Sequence, residues 1–237
     1  MLTYFISEDL PQDVGSGFVF EGDDAHHAIK VLRIKVGEEF ILTDGKGHWV
    51  RARAVEVSKK FIITAIDEVG FDKPLTTQFT VVQALPKSDR VKEALELLTE
   101  GGVDRIIPWQ ASRSIGKGEK SEKWSITLRE ATKQSRRTYI PEVADLAHSK
   151  DIVKEIKKAD CAIIFHQDTD KKLSEVLPTS AKKVLIIIGP EGGLTDEEIE
   201  EFREAGAQLA LMGRPVLRAA HAGLAALSAI NALLRVW

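Results

Sequence analysis

The first part of the chain consists of short segments in which apolar and polar residues alternate. These segments are rich in Val, Ile, Phe and Thr, as is typical of strands in a small β-barrel: GSGFVFEG, EEFILTDG, HWVRARAVEVS and KKFIITAIDEV. One further segment, DDAHHAIKVLRIKVG, has Ala25, Ile29 and Leu32 at helical spacing, and Gly37 is its predicted stop. We therefore predict a small β domain over residues 1–72, interrupted by one helix.

After a predicted linker at 70–77, the pattern changes to continuous apolar runs. Such runs indicate strands that are buried on both faces: QFTVVQALP, VDRIIPW, DCAIIFHQ, VLIIIGPEGG and AQLALMG. The segments DRVKEALELLTEGG and SEKWSITLREATKQSRR, which lie among them, have helical periodicity. Strands that alternate with helices predict an α/β domain over residues 73–237, with a parallel sheet and ligand loops at the carboxyl ends of its strands.

Composition narrows the class of protein only slightly. The chain has 237 residues, a formal net charge of −3 and a single cysteine, Cys161. A single cysteine excludes an internal disulfide and fits a reducing, cytoplasmic setting. The chain shows no basic segment followed by an apolar one at its start and no long apolar run, so neither a signal peptide nor a membrane span is expected. His26, His27 and His48 lack metal-ligand spacing with a cysteine, so no metal is expected.

Local charge is more informative than net charge. Basic residues outnumber acidic ones between Arg113 and Arg137: Arg113, Lys117, Lys120, Lys123, Arg129, Lys133, Arg136 and Arg137 against Glu119, Glu122 and Glu130. A basic patch inside an acidic protein can attract a phosphate backbone. The alternative is a solvated loop and helix face that binds nothing.

The stretch VLIIIGPEGGLTDEEIEEF places a glycine-rich loop between a buried strand and an acidic helix. The lysine of a P-loop is missing after Gly193, and the glycine spacing does not match a dinucleotide fingerprint. Because Glu191 would repel a phosphate, the loop better suits a cationic or donor-rich ligand such as a sulfonium, an amine or ribose hydroxyls. The acids after the loop have a simpler explanation, since Thr195 and Glu198 form a predicted capping box and Gly206 ends the helix.

A second loop follows the last predicted strand. In LMGRPVLRAAHAG, Gly213 ends the strand and Arg214 and Pro215 turn the chain, after which VLRAAHAGLAALSAINALL is predicted to be a helix. Consecutive parallel strands that both end in glycine loops are expected to form adjacent walls of one pocket. The alternative is that these glycines serve only as turns.

These segments, in this order, resemble the RsmE family of ribosomal RNA methyltransferases within the SPOUT superfamily. The resemblance covers nearly the whole chain and lies in HHAIKVLRIKVGE, DRVKEALELLTEGGVDRIIPWQASRSI, EATKQSRRTYIPEV, IGPEGGLTDEEIEEF and LMGRPVLRAAHAG. It implies a PUA-like RNA-binding barrel and a SPOUT-type α/β domain with a trefoil knot over approximately residues 160–237. It also implies S-adenosylmethionine as cofactor, a homodimer, and methylation of uridine N3 in 16S rRNA of the small ribosomal subunit.

Matched position by position, the resemblance implies a set of site residues. The cofactor-binding residues would be His166, Gly189, Glu191, Gly192, Gly193, Leu211, Gly213, Val216 and Leu217. The catalytic residues would be Gln134, Arg137, Glu191 and Arg218. The RNA-binding residues would be His27, Arg33, Lys87, Arg113, Arg136 and Arg137. Arg137 or Arg218 would stabilise the anion that develops on uracil as its N3 proton leaves. The general base stays open between Glu191, which could instead brace its loop, and His221.

The chain departs from the family pattern at several positions. Ala219, Ala220 and His221 replace Thr, Glu and Thr, and Lys133, Arg136 and Thr138 replace Glu, Gly and Asn. Leu97 stands where many relatives have lysine. The change at Ala219, Ala220 and His221 is the only support for one alternative, an RNA-binding protein that has lost catalysis. A second alternative is methylation at another RNA position, such as a ribose hydroxyl, and the match over nearly the whole chain argues against it. A nucleotide-dependent oxidoreductase is a third alternative, which the missing fingerprint argues against.

Overall fold

The computed structural model describes residues 2–87, 90–116 and 121–237, and the chain divides into two compact units. The first unit comprises Met1–Pro74 and Thr132–Ile140, and the second comprises Leu75–Ala131 and Pro141–Trp237. The chain therefore leaves the first unit, enters the second, and returns for one short segment before it completes the second.

The first unit contains a five-stranded mixed sheet. Its elements are β1 Thr3–Ile6, β2 Gly17–Phe20, α1 Asp23–His27, a π-helical turn Ala28–Leu32, β3 Glu39–Thr43, β4 His48–Val57 and β5 Ile62–Phe71. The strand order is β1-β3-β4-β5-β2, with β1 parallel to β3 and the remaining pairs antiparallel. The alternating segments thus form strands as predicted, and β1 is an additional strand that the sequence pattern did not reveal.

The helical segment of the first unit ends earlier than predicted. The π-helical turn stops at Leu32, and Arg33 adopts a left-handed conformation with φ 57°. Gly37 is therefore not the helix stop; its N–H donates to the Ala54 carbonyl at 2.8 Å, ahead of β3. The left-handed residue at the end of the helix is Arg33, whereas the sequence pattern predicted a glycine for this role because glycine adopts that conformation most easily.

The core of the first unit is a cluster of aromatic rings. Phe5, Phe20 and Phe40 are buried, with ring centroids 5.5–5.7 Å apart. The tilted and edge-on arrangements of these rings are the ones that aromatic pairs favour. Apolar residues from α1, such as Ala25, close over the cluster.

Polar side-chain contacts join the segment Thr132–Ile140 to the rest of the first unit. Lys133 Nζ donates to Asp24 Oδ1 at 2.7 Å, and both residues are buried. Thr138 Oγ1 donates to Asp72 Oδ2 at 2.8 Å. These contacts explain why a short segment that continues from a helix of the second unit groups with the first.

The second unit is an α/β structure on a six-stranded parallel sheet, as the apolar runs predicted. Its strands are β6 Gln78–Ala84, β7 Arg105–Trp109, β8 Glu142–Val143, β9 Cys161–Phe165, β10 Lys183–Ile188 and β11 Gln208–Ala210. Its helices are α2 Val91–Glu100, α3 Ser121–Gln134, α4 Ser149–Ile156, α5 Leu173–Val176, α6 Asp196–Glu204 and α7 Ala219–Leu233. Strand β8 and helices α4 and α5 are additions to the predicted elements.

The strand order β11-β9-β10-β6-β7-β8 reverses between β10 and β6. Helix α7 returns from the edge of the sheet to pack against α2, β10 and β6 at this reversal. The helices approach closely because Gly223 has no side chain; a Cβ there would lie 2.5 Å from Leu98 Cδ2. Among the described residues, none of the helices is both long and apolar enough to cross a membrane.

Candidate functional site

A cavity of about 1010 Å³ lies at the carboxyl ends of β9, β10 and β11. These strands belong to the half of the sheet that begins where the strand order reverses, between β10 and β6. Ligands bind at such a reversal in open α/β sheets because the loops on its two sides diverge and leave a crevice. The cavity volume is at the upper end of the roughly 300–1000 Å³ that is usual for pockets that bind small molecules.

All of the predicted cofactor-binding residues line this cavity: His166, Gly189, Glu191, Gly192, Gly193, Leu211, Gly213, Val216 and Leu217. The predicted catalytic residue Arg218 and the predicted RNA-binding residue Lys87 also line it. Further lining residues were missed by the sequence analysis, among them Arg90, Ile115, Phe165, Leu194, Met212 and Arg214. Most of these adjoin predicted residues, but Arg90 and Ile115 follow β6 and β7, whose loops no motif had connected with the pocket.

The glycine-rich loop after β10 forms one wall, and its glycines have different structural reasons. Gly193 has φ +74° and donates its N–H to the Pro190 carbonyl at 2.9 Å, which closes a tight turn. Gly192 is required by close packing, since a Cβ there would lie 2.9 Å from the carbonyl oxygen of Arg113. The bare backbone of the loop therefore lies directly against the segment that follows β7.

Helix α6 fixes this loop through Glu198. The predicted capping box is confirmed, because Glu198 N–H donates to Thr195 Oγ1 at 3.2 Å and Thr195 N–H donates to Glu198 Oε2 at 3.0 Å. Glu198 Oε1 also accepts from the backbone N–H of Ser112 at 2.8 Å, a contact that no sequence pattern indicated. Arg113 Nη1 adds a bond to the Leu194 carbonyl at 3.1 Å. One buried carboxylate thus joins the loop after β10 to the loop after β7.

The loop after β11 forms a second wall. Residues 211–218 run from β11 to α7, and Arg218 is extended, with φ −63° and ψ 145°. The prediction that the helix begins at Val216 is therefore wrong: α7 begins at Ala219, and the Arg218 carbonyl accepts from the N–H groups of His221 and Ala222, each at 2.9 Å. Because this segment is not helical, Val216 remains 80% exposed and lines the cavity.

His166 at the end of β9 connects these walls. Its backbone N–H donates to the Ala210 carbonyl at 3.1 Å, and its ring Nδ1 accepts from the N–H of Asp168 at 3.2 Å. The side chain is only partly exposed. Three strand ends that are adjacent in the sheet therefore contribute to one cavity.

Charged groups of both signs line the cavity. Lys87, Arg90, Arg214 and Arg218 are basic, and Glu191 is acidic. Glu191 Oε1 accepts from the backbone N–H of Lys87 at 3.3 Å, a contact compatible with a bracing role. The sequence analysis stressed the acid alone, whereas the lining suits a ligand that carries both a cationic and an anionic group.

His221, one of the two candidate bases, is bonded to Glu93 rather than to a predicted cofactor-binding residue. Its Nε2 lies 3.0 Å from Glu93 Oε1, and Glu93 Oε2 accepts from Arg90 Nη1 at 2.8 Å. Hydrogen bonds from His221 and then from Arg90 hold the pKa of Glu93 below its ordinary value. The described lining of the cavity includes Ala220 and Ala222 but not the histidine between them.

Of the predicted residues outside the cavity lining, Arg113 lies in the second unit, where it bonds to Leu194, and the others lie in the first unit. Gln134, Arg136 and Arg137 belong to the segment Thr132–Ile140, in which Arg136 is left-handed with φ 58° and Arg137 N–H donates to the Thr132 carbonyl at 3.0 Å. His27 ends α1, and Arg33 follows the π-helical turn.

Not every residue of the expected basic stretch lies at the surface. Lys133 is 8% exposed and bonded to Asp24, so it cannot contribute positive charge to an exposed patch. Its inclusion in the patch was wrong because the sequence does not show that Asp24, far along the chain, accepts its ammonium group. Lys117 and Lys120 lie outside the described residues.

Within residues 2–87, 90–116 and 121–237, no three His, Cys, Asp or Glu side chains are grouped as they would be to hold a metal ion. The single cysteine, Cys161, is buried at the start of β9.

Comparison with known proteins gives matches over both parts of the chain. Residues 73–231 match the family model described as RNA methyltransferase domain, and residues 20–67 match RNA methyltransferase PUA domain. Ribosomal RNA small subunit methyltransferase E of Mycobacterium bovis is 32% identical over 98% of this chain and 92% of its own. The protein of the same name from Bacillus subtilis is 29% identical over 98% and 96%.

A solved structure is also similar over nearly the full length. The ribosomal RNA small subunit methyltransferase E from Neisseria gonorrhoeae, bound to S-adenosyl methionine, superposes with a TM-score of 0.87. It is 26% identical, and the match covers 98% of both chains.

Proposed function

Because the chain belongs to the RsmE family of ribosomal RNA small subunit methyltransferases, we propose that it transfers a methyl group from S-adenosylmethionine to N3 of a uridine in 16S rRNA. The observation that carries this proposal is that every predicted cofactor-binding residue lines one cavity, at the ends of β9, β10 and β11. Those residues were assigned from motifs that are distant along the chain, so their convergence is independent support for the assignment.

The cavity fits the proposed cofactor in shape and in charge. The bare backbone at Gly213 allows close approach of a ligand, since a Cβ there would meet nothing nearer than Pro215 Cδ at 3.9 Å. S-adenosylmethionine, when bound, supplies a methyl group that its sulfonium already activates. The chain must therefore mainly hold donor and acceptor in line. Glu191 would hold the cationic or hydroxyl groups of the cofactor.

Uracil N3 carries a proton near neutral pH, so the enzyme must favour its loss. Arg218 lines the cavity, and its guanidinium would stabilise the anion that develops on the uracil oxygens. Arg137 is the second candidate for this role, and Gln134 would orient the base. N3 lies on the pairing edge, so the target uridine must be unpaired or flipped when it reacts.

Glu191 is the better candidate for the general base. It lines the cavity and is exposed, whereas His221 is engaged with Glu93. The weak contact of Glu191 with the Lys87 N–H also supports the alternative that it braces the loop.

RNA contact would come from the first unit and from basic residues of the second. We assign this role to His27, Arg33, Lys87, Arg113, Arg136 and Arg137. Contacts with phosphate release counterions, so RNA affinity should fall steeply as salt rises from low to physiological concentration. An affinity that stays flat over this range would contradict the assignment.

The domain boundaries, the knot and the oligomeric state also belong to this proposal. We place the PUA-like domain at 1–72 and the SPOUT domain at 73–237, with a trefoil knot near its C-terminal end. The return of α7 from the sheet edge to α2 and β6 supports such a knot. We further propose a cytoplasmic homodimer; the exposed apolar side chains of Val216, Leu233 and Trp237 support a covered surface in the second unit, which sedimentation would test.

The proposed function is tested with labelled S-adenosylmethionine and small ribosomal subunits that lack the modification. We expect transfer of label to 16S rRNA, and tighter binding of S-adenosylmethionine than of NAD or ATP. Preferential binding of NAD or ATP would favour a different class of enzyme. Cofactor binding without any transfer would favour an RNA-binding protein that has lost catalysis.

The role of Arg137 is tested separately. Arg137→Ala should lower the transfer rate at saturating RNA and cofactor, because stabilisation of a developing anion acts in the transition state. A full rate under those conditions would leave Arg218 as the only candidate cation.

A further inference from the structure

Two exposed rings lie side by side at one end of the sheet in the first unit. His48 begins β4 and is the direct cross-strand partner of Phe71, the last residue of β5. Their ring centroids are 4.7 Å apart, and the ring planes are tilted by 40°. The side chain of His48 is 63% accessible and Phe71 is 49% exposed. The two rings therefore contact each other and still leave about half of their surface open to a ligand.

Packing of the core does not explain this pair. Along β4 the alternate residues Val50, Ala52 and Ala54 are buried, and His48 continues the same face of the strand beyond them. Among the described residues, the core cluster of the first unit includes neither His48 nor Phe71. The rings thus lie where the core ends.

Hydrogen bonds within one turn hold the imidazole of His48 in place. Its Nδ1 lies 2.9 Å from Asp44 Oδ2. The other oxygen, Asp44 Oδ1, accepts from the backbone N–H groups of Lys46 and His48 at 2.7 and 3.1 Å. Gly47 donates its N–H to the Thr138 carbonyl at 3.0 Å, which ties this turn to the returning segment. The orientation of the imidazole is therefore set before any ligand binds.

The strand end that carries Phe71 is braced in the same way by the next residue, Asp72. The carboxylate of Asp72 accepts from Trp49 Nε1 at 3.1 Å and from Thr138 Oγ1 at 2.8 Å. The carbonyl of Asp72 accepts from the Tyr139 hydroxyl at 2.7 Å. A rigid support of this kind reduces the entropy that is lost when a ligand binds.

A flat ligand with a π-face fits two open rings on a rigid support. RNA offers such ligands in its unpaired bases, which proteins bind by stacking them on aromatic side chains and on histidine. The contact is tolerant of sequence because every base has a π-face. The described part of β4, with His48, also falls within residues 20–67, which match the RNA methyltransferase PUA domain.

The charges beside the rings favour RNA over an apolar partner. Lys46 and Lys73 are exposed and lie on the two chain segments that carry the rings. Their charge complements the phosphates on either side of a stacked base. The carboxylates of Asp44 and Asp72 accept hydrogen bonds within the first unit. An apolar protein surface would offer no partner for the two lysines.

We propose that His48 and Phe71 form a stacking site for an unpaired base of the RNA substrate. This inference rests on the proposed methyl transfer to RNA. The target uridine would enter the cavity of the second unit, so the base that stacks on the first unit is another nucleotide. The stacking site adds a contact that tolerates sequence to the charged residues already assigned to RNA binding.

The first test compares Phe71→Leu, which removes the ring, with Phe71→Tyr, which keeps it. Binding to small ribosomal subunits that lack the modification is measured across a salt series. We expect Phe71→Leu to bind roughly tenfold more weakly, as for loss of one stacked base, and Phe71→Tyr to bind as the wild type does. The slope of log affinity against log salt should not change in either variant, because no phosphate contact is lost.

The same variants separate substrate binding from chemistry. In the methyl-transfer assay, KM for the subunits should rise with Phe71→Leu by the factor seen in binding. The value of kcat and the affinity for S-adenosylmethionine should stay at their wild-type values, since the ring touches neither the target base nor the cofactor.

Val55→Ala is the matched control. Val55 lies on β4, is 50% exposed, and loses apolar surface in this variant without any change at the rings. We expect it to bind subunits as the wild type does. Equal unfolding midpoints for Phe71→Leu and Val55→Ala show that weaker binding does not come from misfolding.

The second test identifies what the rings contact. The photoreactive residue p-benzoylphenylalanine replaces Phe71, and the protein is irradiated together with the small subunits. We expect a crosslink to 16S rRNA that nuclease treatment removes, and none above background when the same residue replaces Val55. A crosslink that resists nuclease, formed with a ribosomal protein instead, would mean that the rings dock a protein and would overturn the proposal.

Three further results would also overturn it. Phe71→Leu might bind subunits as tightly as Phe71→Tyr, which would show that no base stacks on the ring. A loss of affinity together with a smaller salt slope would point to a lost phosphate contact. The third is the absence of any crosslink from position 71. Failure of the wild type to transfer methyl groups would instead contradict the proposed function, whereas the binding and crosslinking results would still decide the role of the rings.

Discussion

At the scale of single residues, the walls of the cavity depend on glycines, which have no Cβ, as much as on the side chains that line it. Gly192 lies so close to Arg113 that a Cβ would approach its carbonyl oxygen to 2.9 Å, and Gly193 needs a left-handed backbone. The sequence marked this loop as a ligand loop from its glycines, but it did not reveal that one of them is there for packing against the segment after β7.

Gly192→Ala should weaken S-adenosylmethionine binding by about tenfold or more. The added methyl group must push the loop away from Arg113, and overpacking of this kind typically costs about 1–3 kcal/mol. Isothermal titration with the cofactor measures the effect.

Gly17→Ala is the control for this prediction, because a Cβ at Gly17 meets nothing within 4 Å. It should bind the cofactor as the wild type does. Unchanged binding by Gly192→Ala would show that the contact with Arg113 does not shape the cavity.

Glu198→Ala should destabilise the protein by roughly 2–3 kcal/mol. Glu198 is 3% exposed and accepts from the N–H groups of Ser112 and Thr195, so its loss leaves backbone donors without this acceptor. Urea denaturation gives the free energy of unfolding. Glu200→Ala removes only an exposed pair with Arg203 and should change it by less than about 1 kcal/mol. Equal effects of the two substitutions would show that Glu198 acts only as a helix cap and that its bond with Ser112 adds no stability.

At the scale of elements, the long apolar runs were predictable and the short or irregular elements were not. Strands β6, β9 and β10 are buried on both faces, so their composition alone identifies them. Strands β1 and β8 are too short to establish a period. The sequence also misplaced the start of α7 because apolar spacing continues through Val216 and Leu217, which lie outside the helix and line the cavity.

The bond between Lys133 and Asp24 anchors the returning segment to the first unit. Asp24→Asn should lower the free energy of unfolding by about 3–5 kcal/mol, because it leaves a buried ammonium group without this carboxylate. Denaturant titration followed by tryptophan fluorescence measures the loss.

The double variant Asp24→Asn/Lys133→Met separates charge from packing. Removal of both charges should restore most of the lost stability, since an apolar replacement of a buried pair is often neutral. A double variant no more stable than Asp24→Asn would show that the loss does not come from the unpaired charge.

Cys161, at the start of β9, is expected to make the stability of the protein depend on pH. Burial, and then the nearby Asp160 carboxylate, raise the pKa of Cys161 from 9.0 to about 11. The folded state therefore favours the neutral thiol, and its contribution to stability is fully present below pH 9 and is lost as pH rises toward 11. The difference in unfolding free energy between the wild type and Cys161→Ala should shrink between pH 8 and pH 10.5. A constant difference would contradict the raised pKa.

At the scale of the whole molecule, the order of motifs carried more information than any single motif. The Gly-Pro-Glu-Gly-Gly loop and the Leu-Arg segment lie far apart from His166 or Lys87 in sequence, yet these residues line one cavity because parallel strands place their carboxyl ends together. The grouping of Thr132–Ile140 with the first unit could not be predicted, since it depends on Asp24 and Asp72, which no local pattern links to that segment.

The most direct measurement is the identity of the nucleoside that the protein produces. Small ribosomal subunits that lack the modification are incubated with S-adenosylmethionine and the protein, the 16S rRNA is digested, and the nucleosides are analysed by mass spectrometry. The proposed function predicts N3-methyluridine and no other new methylated nucleoside. A ribose-methylated nucleoside, or a base methylated at another atom, would contradict it.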